Sequence, residues 1–377
     1  MKTSVCEMMG IEFPIFAFSH ARDVVAAVTK AGGFGVLGAV GFTPEQLQVE
    51  LDWIDNEVRG RPYGVDLIIP AKYIGKDQGG LDLKDLVGML PEEHKRFVEE
   101  LMKKYNVPPL PEGTLHHSGL LAWSDRAAAP LVDIALTHPI KLIANALGSP
   151  PPELIEKAHN REVYVAALAG AKEHALRHKD AGVDLIIAQG YEAGGHTGEI
   201  STMVLVPEVV DAVAPTPVLA AGGIGRGRQV AAALALGAQG VWTGSVWLTT
   251  EEAETHPVVK EKFLRATSKE TVRSRSITGK PARQLRSAWT DEWDLPENPD
   301  PLPMPLQLIL VAEAQQRIQR SASSSASKAN ELINYFVGQI VGSLNQIKPA
   351  KQVLLDMVEE YIDVVGGLSE QLAKLSD

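Results

Sequence analysis

The feature that most constrains this chain is a rhythm. Eight short apolar runs, at 14–18, 34–39, 63–69, 140–146, 163–168, 183–190, 217–224 and 240–246, alternate with stretches of helical periodicity. Near-continuous apolar strands of this kind suit a parallel sheet covered on both faces, because a half-exposed strand would alternate with polar residues instead. The helix signals between them are specific. RDVVAAVTKAGG ends in glycines, and Thr43-Pro44-Glu45-Gln46 is a capping box with proline at the first helical position. Eight strand–helix units predict a closed (β/α)8 barrel of the α/β class. An open doubly wound sheet would carry its phosphate-binding glycines after the first strand, where this sequence has Ser19-His20-Ala21-Arg22.

Two segments depart from the rhythm. Residues 70–125 are polar and rich in Pro and Gly, with one helical candidate, EEHKRFVEELMKKY, and are read as a loop insertion. The barrel is assigned to residues 1–265. Residues 266–377 then form a C-terminal extension with a basic segment, a Pro-rich stretch and a Ser-rich linker, RSASSSASK. Leu332, Ile333, Phe336, Val337, Ile340, Val341 and Leu344 fall at helical spacing, as do Val353, Leu354, Met357, Val358 and Tyr361 after Pro349. They predict a helical hairpin packed on the barrel or on a second subunit, so a homo-oligomer is compatible with the sequence.

Composition narrows the function. Apolar residues make up 45% of the chain, enough to build a large core. The net charge of −11 argues against nucleic acid as a partner, since that binding needs a basic face. No run has the length of a membrane-spanning helix, and the N-terminus lacks a signal-peptide core. The single cysteine, Cys6, precedes the first strand, so a cysteine nucleophile there is disfavoured and a reducing cytoplasm is the expected setting. No close His/Asp/Glu cluster suggests a metal. His116 and His117, with Glu112 nearby, are read as part of a loop rather than as a metal pair.

The chemistry concentrates after the last three barrel strands, on the face where such barrels place their sites. Gln189-Gly190-Tyr191-Glu192-Ala193-Gly194-Gly195-His196 sets a histidine directly behind paired glycines. The glycines let backbone approach a ligand, and the imidazole can act as base or acid near neutral pH. Gly222-Gly223-Ile224-Gly225 precedes a helix, and Thr243-Gly244-Ser245 follows about 20 residues later. Bare amides at a helix start bind anions, so the two loops predict a phosphate site with a histidine beside it. His20, past the first strand, lies on the same face and is a candidate substrate contact, as is Tyr191.

AQGYEAGGHTG, PVLAAGGIG and GAQGVWTGSVWLTTEEA together resemble the flavin-dependent nitronate monooxygenase family, formerly called 2-nitropropane dioxygenases. The resemblance runs over about residues 10–290 outside the insertion and is strongest at 183–253. It implies an FMN-bound barrel in which Gly222, Gly223, Gly244 and Ser245 hold the phosphate. Ala17, Gln189, Gly194 and Gly195 would line the flavin, and His196 would be the catalytic histidine. Phe18 and Ser19 stand where the family carries a Pro-Met pair, and Asp66 where it commonly carries Asn. The implied reaction oxidises alkyl nitronates with O2 to carbonyl compounds and nitrite. The alternative is an NAD(P)H-dependent enoyl-thioester or quinone reductase on the same scaffold. For it, Arg273, Arg275, Lys280, Arg283 and Arg286 would supply a phosphate-binding patch.

Overall fold

A computed structural model describes residues 1–78, 80–111, 125–322 and 327–374. The eight runs form eight parallel strands of a closed barrel: β1 (Ile15–Ser19), β2 (Phe34–Gly38), β3 (Gly64–Ile68), β4 (Leu142–Ala146), β5 (Tyr164–Ala169), β6 (Leu185–Gln189), β8 (Val218–Ala221) and β9 (Gly240–Thr243). Register is continuous around the ring and closes with Phe16 opposite Trp242. The capping box at Thr43 is formed, its side chain accepting from the Gln46 amide at 3.2 Å.

Strand alternation divides the buried residues into two layers. Phe16, Phe34, Val36, Leu142, Ala166, Leu185, Ile187 and Leu219 fill the barrel interior. Ile15, Ala17, Leu37, Val65, Val165, Ile186 and Ala220 face the surrounding helices. The short helix Ser4–Met9 adds Val5 and Met9 to the interior layer, packing them with Phe16 and Phe34. The barrel interior is therefore filled by side chains, and the strands' C-terminal mouth is where such a barrel leaves room for a ligand.

The insertion and the extension pack on each other. Helices Leu83–Gly88 and Glu92–Lys104 contact helix Leu306–Ser321, which sequence periodicity did not reveal. The buried Arg317 guanidinium joins them, donating to the carbonyls of Val107 and Pro108 and pairing with Glu99. Phe97 meets Trp293 edge to face, with ring centroids 4.8 Å apart. His116, His117 and Glu112 lie outside the described residues.

The expected hairpin is half right. Helix Ala350–Ala373 packs on helices Gly227–Ala235 and Arg22–Lys30, and Glu360 clasps Arg226 and Arg228. Its supposed partner is not a helix. After the single turn Ala329–Leu332 the chain is extended, bridges Gln284 through Phe336, and ends in the 3-10 turn Gln339–Ser343. Gly338 and Gly342 lie within the apolar stripe, and glycine costs a helix interior about 1 kcal/mol each. The stripe instead serves a strap over the barrel mouth, its apolar side chains spread over several neighbours.

Candidate active site

The barrel mouth opens into a cavity of about 1910 Å³, bounded by the ends of β1, β3, β6, β8 and β9 and by the strap. Small-molecule sites commonly occupy ~300–1,000 Å³, so a cofactor and a substrate both have room.

Its reactive corner is set by a small antiparallel sheet. β7 (Gly195–His196) pairs with β11 (Ala282–Leu285), which pairs with β10 (Thr271–Ser274). Ala282 sits opposite His196, so the ribbon fixes where the imidazole points. His196 Nε2 lies 2.8 Å from the Thr278 hydroxyl, which itself donates to the Lys280 carbonyl at 3.2 Å. That leaves the hydroxyl oxygen to accept, and assigns the proton to Nε2. Nδ1 then has no partner among the described residues and carries a free lone pair. Enclosure by protein, with the Lys280 charge adding to it, pushes the His196 pKa down to about 4. At neutral pH this is a neutral imidazole with Nδ1 open. The Lys280 ammonium is half-buried on the same wall, has no counter-ion among the described residues, and has its pKa lowered by that burial.

A second stretch of the lining is an anion site. Gly222, Gly223, Gly244 and Ser245 line the cavity, and among the described residues their amides donate to no protein acceptor. The Gly225 and Arg226 amides are already taken by the Gln229 side chain, at 2.9 and 3.0 Å. The usable donors are therefore the loop amides rather than the helix start itself. The Ser245 hydroxyl accepts from the Gly338 amide at 2.8 Å, which ties the strap to the site.

The lining also carries flat apolar surfaces. Trp242 stacks on Phe18, with ring centroids 6.2 Å apart, and both rings line the cavity. The Gln189 amide faces in from the end of β6 without a protein partner among the described residues. Gly194 and Gly195 pass beneath the strap. A Cβ at Gly194 would come within 2.8 Å of the Val337–Gly338 backbone, so only glycine allows this crossing. His20 also lines the cavity, its Nδ1 held 2.9 Å from the Gly38 carbonyl oxygen, and its pKa is lowered by the surrounding protein.

Three sequence expectations need correction. Ala17 is fully buried and points to the helix layer, so β1 offers Phe18 and Ser19 to the cavity in its place. Tyr191 does not line the cavity: its ring lies 4.3 and 5.2 Å from the guanidinium groups of Arg283 and Arg273, within reach of cation–π attraction. The basic segment is not a patch. Arg283 is buried against the Tyr191 carbonyl, Arg275 binds the Gly279 and Pro301 carbonyls, and Arg286 pairs with Asp291. Of the five, only Lys280 lines the cavity.

Sequence reasoning missed the strap residues Tyr335 and Phe336. Phe336 brings its ring to 6.4 Å from that of His196. The interruption of their stripe by Gly338 and Gly342 was the available signal.

These donors fit a flavin nucleotide on the structure's own terms. Four amides unclaimed among the described residues suit a phosphate, paired aromatic rings suit a planar heterocycle, and the buried Asp66 oxygen, without a protein partner among those residues, is open to a ligand.

Comparison with known proteins agrees. The family model described as nitronate monooxygenase matches residues 2–360. A Mycobacterium tuberculosis protein described as a monooxygenase, Rv1533, is 63% identical over 369 residues, covering 98% of each chain. Among solved structures, a nitroalkane oxidase from Streptomyces ansochromogenes superposes with a TM-score of 0.79 at 24% identity, over 97% of this chain and 99% of its own, a likeness of fold. FabK from Thermotoga maritima superposes with a TM-score of 0.70 at 25% identity, over 98% and 99%. The chain is an oxidoreductase enzyme and belongs to the nitronate monooxygenase family, whose members are in general flavin-dependent.

Proposed function

We propose that this protein binds FMN and oxidises alkyl nitronates with O2 to carbonyl compounds and nitrite. The observation that carries the reading is the pairing of a neutral imidazole, His196, with an ammonium that has no counter-ion among the described residues, Lys280, in one cavity with an anion site. A nitronate is a delocalised oxyanion, and Lys280 matches its charge. The amides of Gly222, Gly223, Gly244 and Ser245 would hold the FMN phosphate, and Gln189, Gly194, Gly195 and Phe18 would border the ring. When bound, the flavin supplies the electron acceptor and the means of reacting with O2.

The remaining work belongs to the chain. Lys280 attracts and orients the anion. The Nδ1 lone pair of His196 takes the α-proton when the substrate arrives as a neutral nitroalkane. Thr278 keeps the ring in the tautomer that leaves Nδ1 free, and Phe336 covers this corner against water. A reductase would need a nicotinamide cofactor to be gripped as well, and the arginines suggested for that purpose are engaged within the fold.

Anaerobic mixing separates the readings. An alkyl nitronate should bleach the visible flavin band within the turnover time, and admitting O2 should restore the band and release nitrite. NADH and NADPH should leave it unchanged. Rapid bleaching by a nicotinamide with none by the nitronate would overturn the proposal in favour of a reductase.

A further inference from the structure

We propose that the Asp66 side chain positions the flavin by pairing, as a neutral carboxylic acid, with the lactam edge of the isoalloxazine, so that cofactor affinity depends on one buried proton. This rests on the FMN reading above.

Strand alternation sets where Asp66 points. Along β3, Val65 and Leu67 face the helix layer, so Asp66 points into the barrel and lines the mouth. It is 5% exposed. A carboxylate buried so far should have a partner, because unpaired charge in an apolar interior is costly. Among the described residues it has none: Oδ1 is sealed from solvent and unbonded, and neither oxygen meets a protein donor. The flanking strands bring nothing to pair with it, since its neighbours in register are Gly38 on β2 and Ala144 on β4. Gly38 is fixed as glycine because a Cβ there would lie 2.7 Å from the His20 ring.

Titratable groups approach the same space from each side. His20 comes from beyond β1, and Lys72 and Lys76 from the loop after β3. His178 lies near the ends of β4 and β5, and His196 and Lys280 stand on the reactive wall. Two of them are committed elsewhere: Lys76 binds the Ala71 carbonyl, and His178 bonds Ser149 and the Leu168 carbonyl. None offsets the burial, which alone pushes the Asp66 pKa up to about 7.

The chemistry selects the neutral form. A flavin's pyrimidine ring presents an N–H between two carbonyl oxygens. A carboxylic acid meets that edge with two hydrogen bonds, its O–H donating to a carbonyl and its C=O accepting from the N–H. A carboxylate has no proton to donate, and it would set negative charge against the carbonyl oxygen. Raising the pH through the Asp66 pKa should therefore weaken FMN binding, while Asn at this position would keep one donor and one acceptor at every pH.

The test is the FMN dissociation constant, followed by flavin fluorescence from pH 6 to 8.5, in the wild type and Asp66→Asn. The two proteins share the phosphate site and the cavity histidines, so their ratio isolates this carboxyl. We expect the wild-type constant to rise relative to the variant by about tenfold or more across that range. Parallel curves would overturn the role of Asp66 and leave the FMN reading standing, whereas failure of both proteins to bind FMN would overturn both. If the variant does not fold, riboflavin, which has no titrating phosphate, repeats the series on the wild type. Its affinity should fall through neutral pH, and a flat profile would refute the proposal.

Discussion

Replacing His196 with Asn should leave FMN bound and cut turnover of a neutral nitroalkane by ~10²–10⁴-fold, the usual contribution of a positioned base. The substitution keeps a polar group of similar reach but removes a lone pair basic enough to take a proton. A preformed nitronate needs no deprotonation, so its turnover should fall much less, by about tenfold or under. Steady-state rates on both forms of one substrate, with flavin content measured in parallel, give the split. Equal losses on both would make His196 a binding group, and unchanged rates would remove it from the mechanism. The pH sign follows from the lowered pKa: the imidazole is already unprotonated at neutrality and stays so until the pH approaches about 4. Acid inactivation caused by this residue should therefore appear near pH 4 rather than near the usual imidazole value of about 6.5.

Replacing Gly223 with Val should abolish stable FMN binding while leaving riboflavin binding little changed. Gly223 has φ of 70°, a left-handed conformation that a β-branched residue resists strongly. A Cβ there would also approach the Glu192 Cβ to 3.1 Å. Glu192 cannot easily give way, because its carboxylate holds the Thr202 amide and hydroxyl at 2.9 and 2.8 Å. The loop must rotate, turning its amides away from the site. Hydrogen bonds to a charged group are worth about 1.5–3 kcal/mol each, so losing two should weaken FMN by about 100-fold or more. Fluorescence titration with both ligands checks this. Equal weakening of FMN and riboflavin would mean that the loop does not hold the phosphate.

The barrel was legible because its signal is local and repeated. Each apolar run carries its own helix behind it, and an error in one unit does not mislead the next. The glycine loops and His196 were legible for a related reason, since their chemistry is compressed into a few adjacent residues. What escaped depends on contacts between distant segments. The strap shows helical spacing, yet its backbone bridges Gln284 at Phe336 and bonds the Glu192 carbonyl at Gln339, while Ile333, Tyr335 and Phe336 line the cavity, and spacing does not reveal which neighbour a residue serves. Helix Leu306–Ser321 was hidden between a Pro-rich stretch and a Ser-rich one, and its purpose becomes visible only when Arg317 reaches the insertion. Ala17 was misplaced by one residue, and in a strand that exchanges the inner for the outer face. Tyr191 sits in the right loop with its side chain drawn aside by two arginines that lie about 80 and 90 residues further on.

If amides after β8 and β9 grip a flavin phosphate while His196 faces the ring, both contacts are visible at once in the loaded protein. The measurement is a crystal structure of the FMN-loaded protein. Phosphoryl density should lie within hydrogen-bonding distance of the Gly222, Gly223, Gly244 and Ser245 amides, with the His196 Nδ1 directed at the space over the isoalloxazine. Phosphoryl density anywhere else, or an imidazole turned from the ring, would contradict that arrangement.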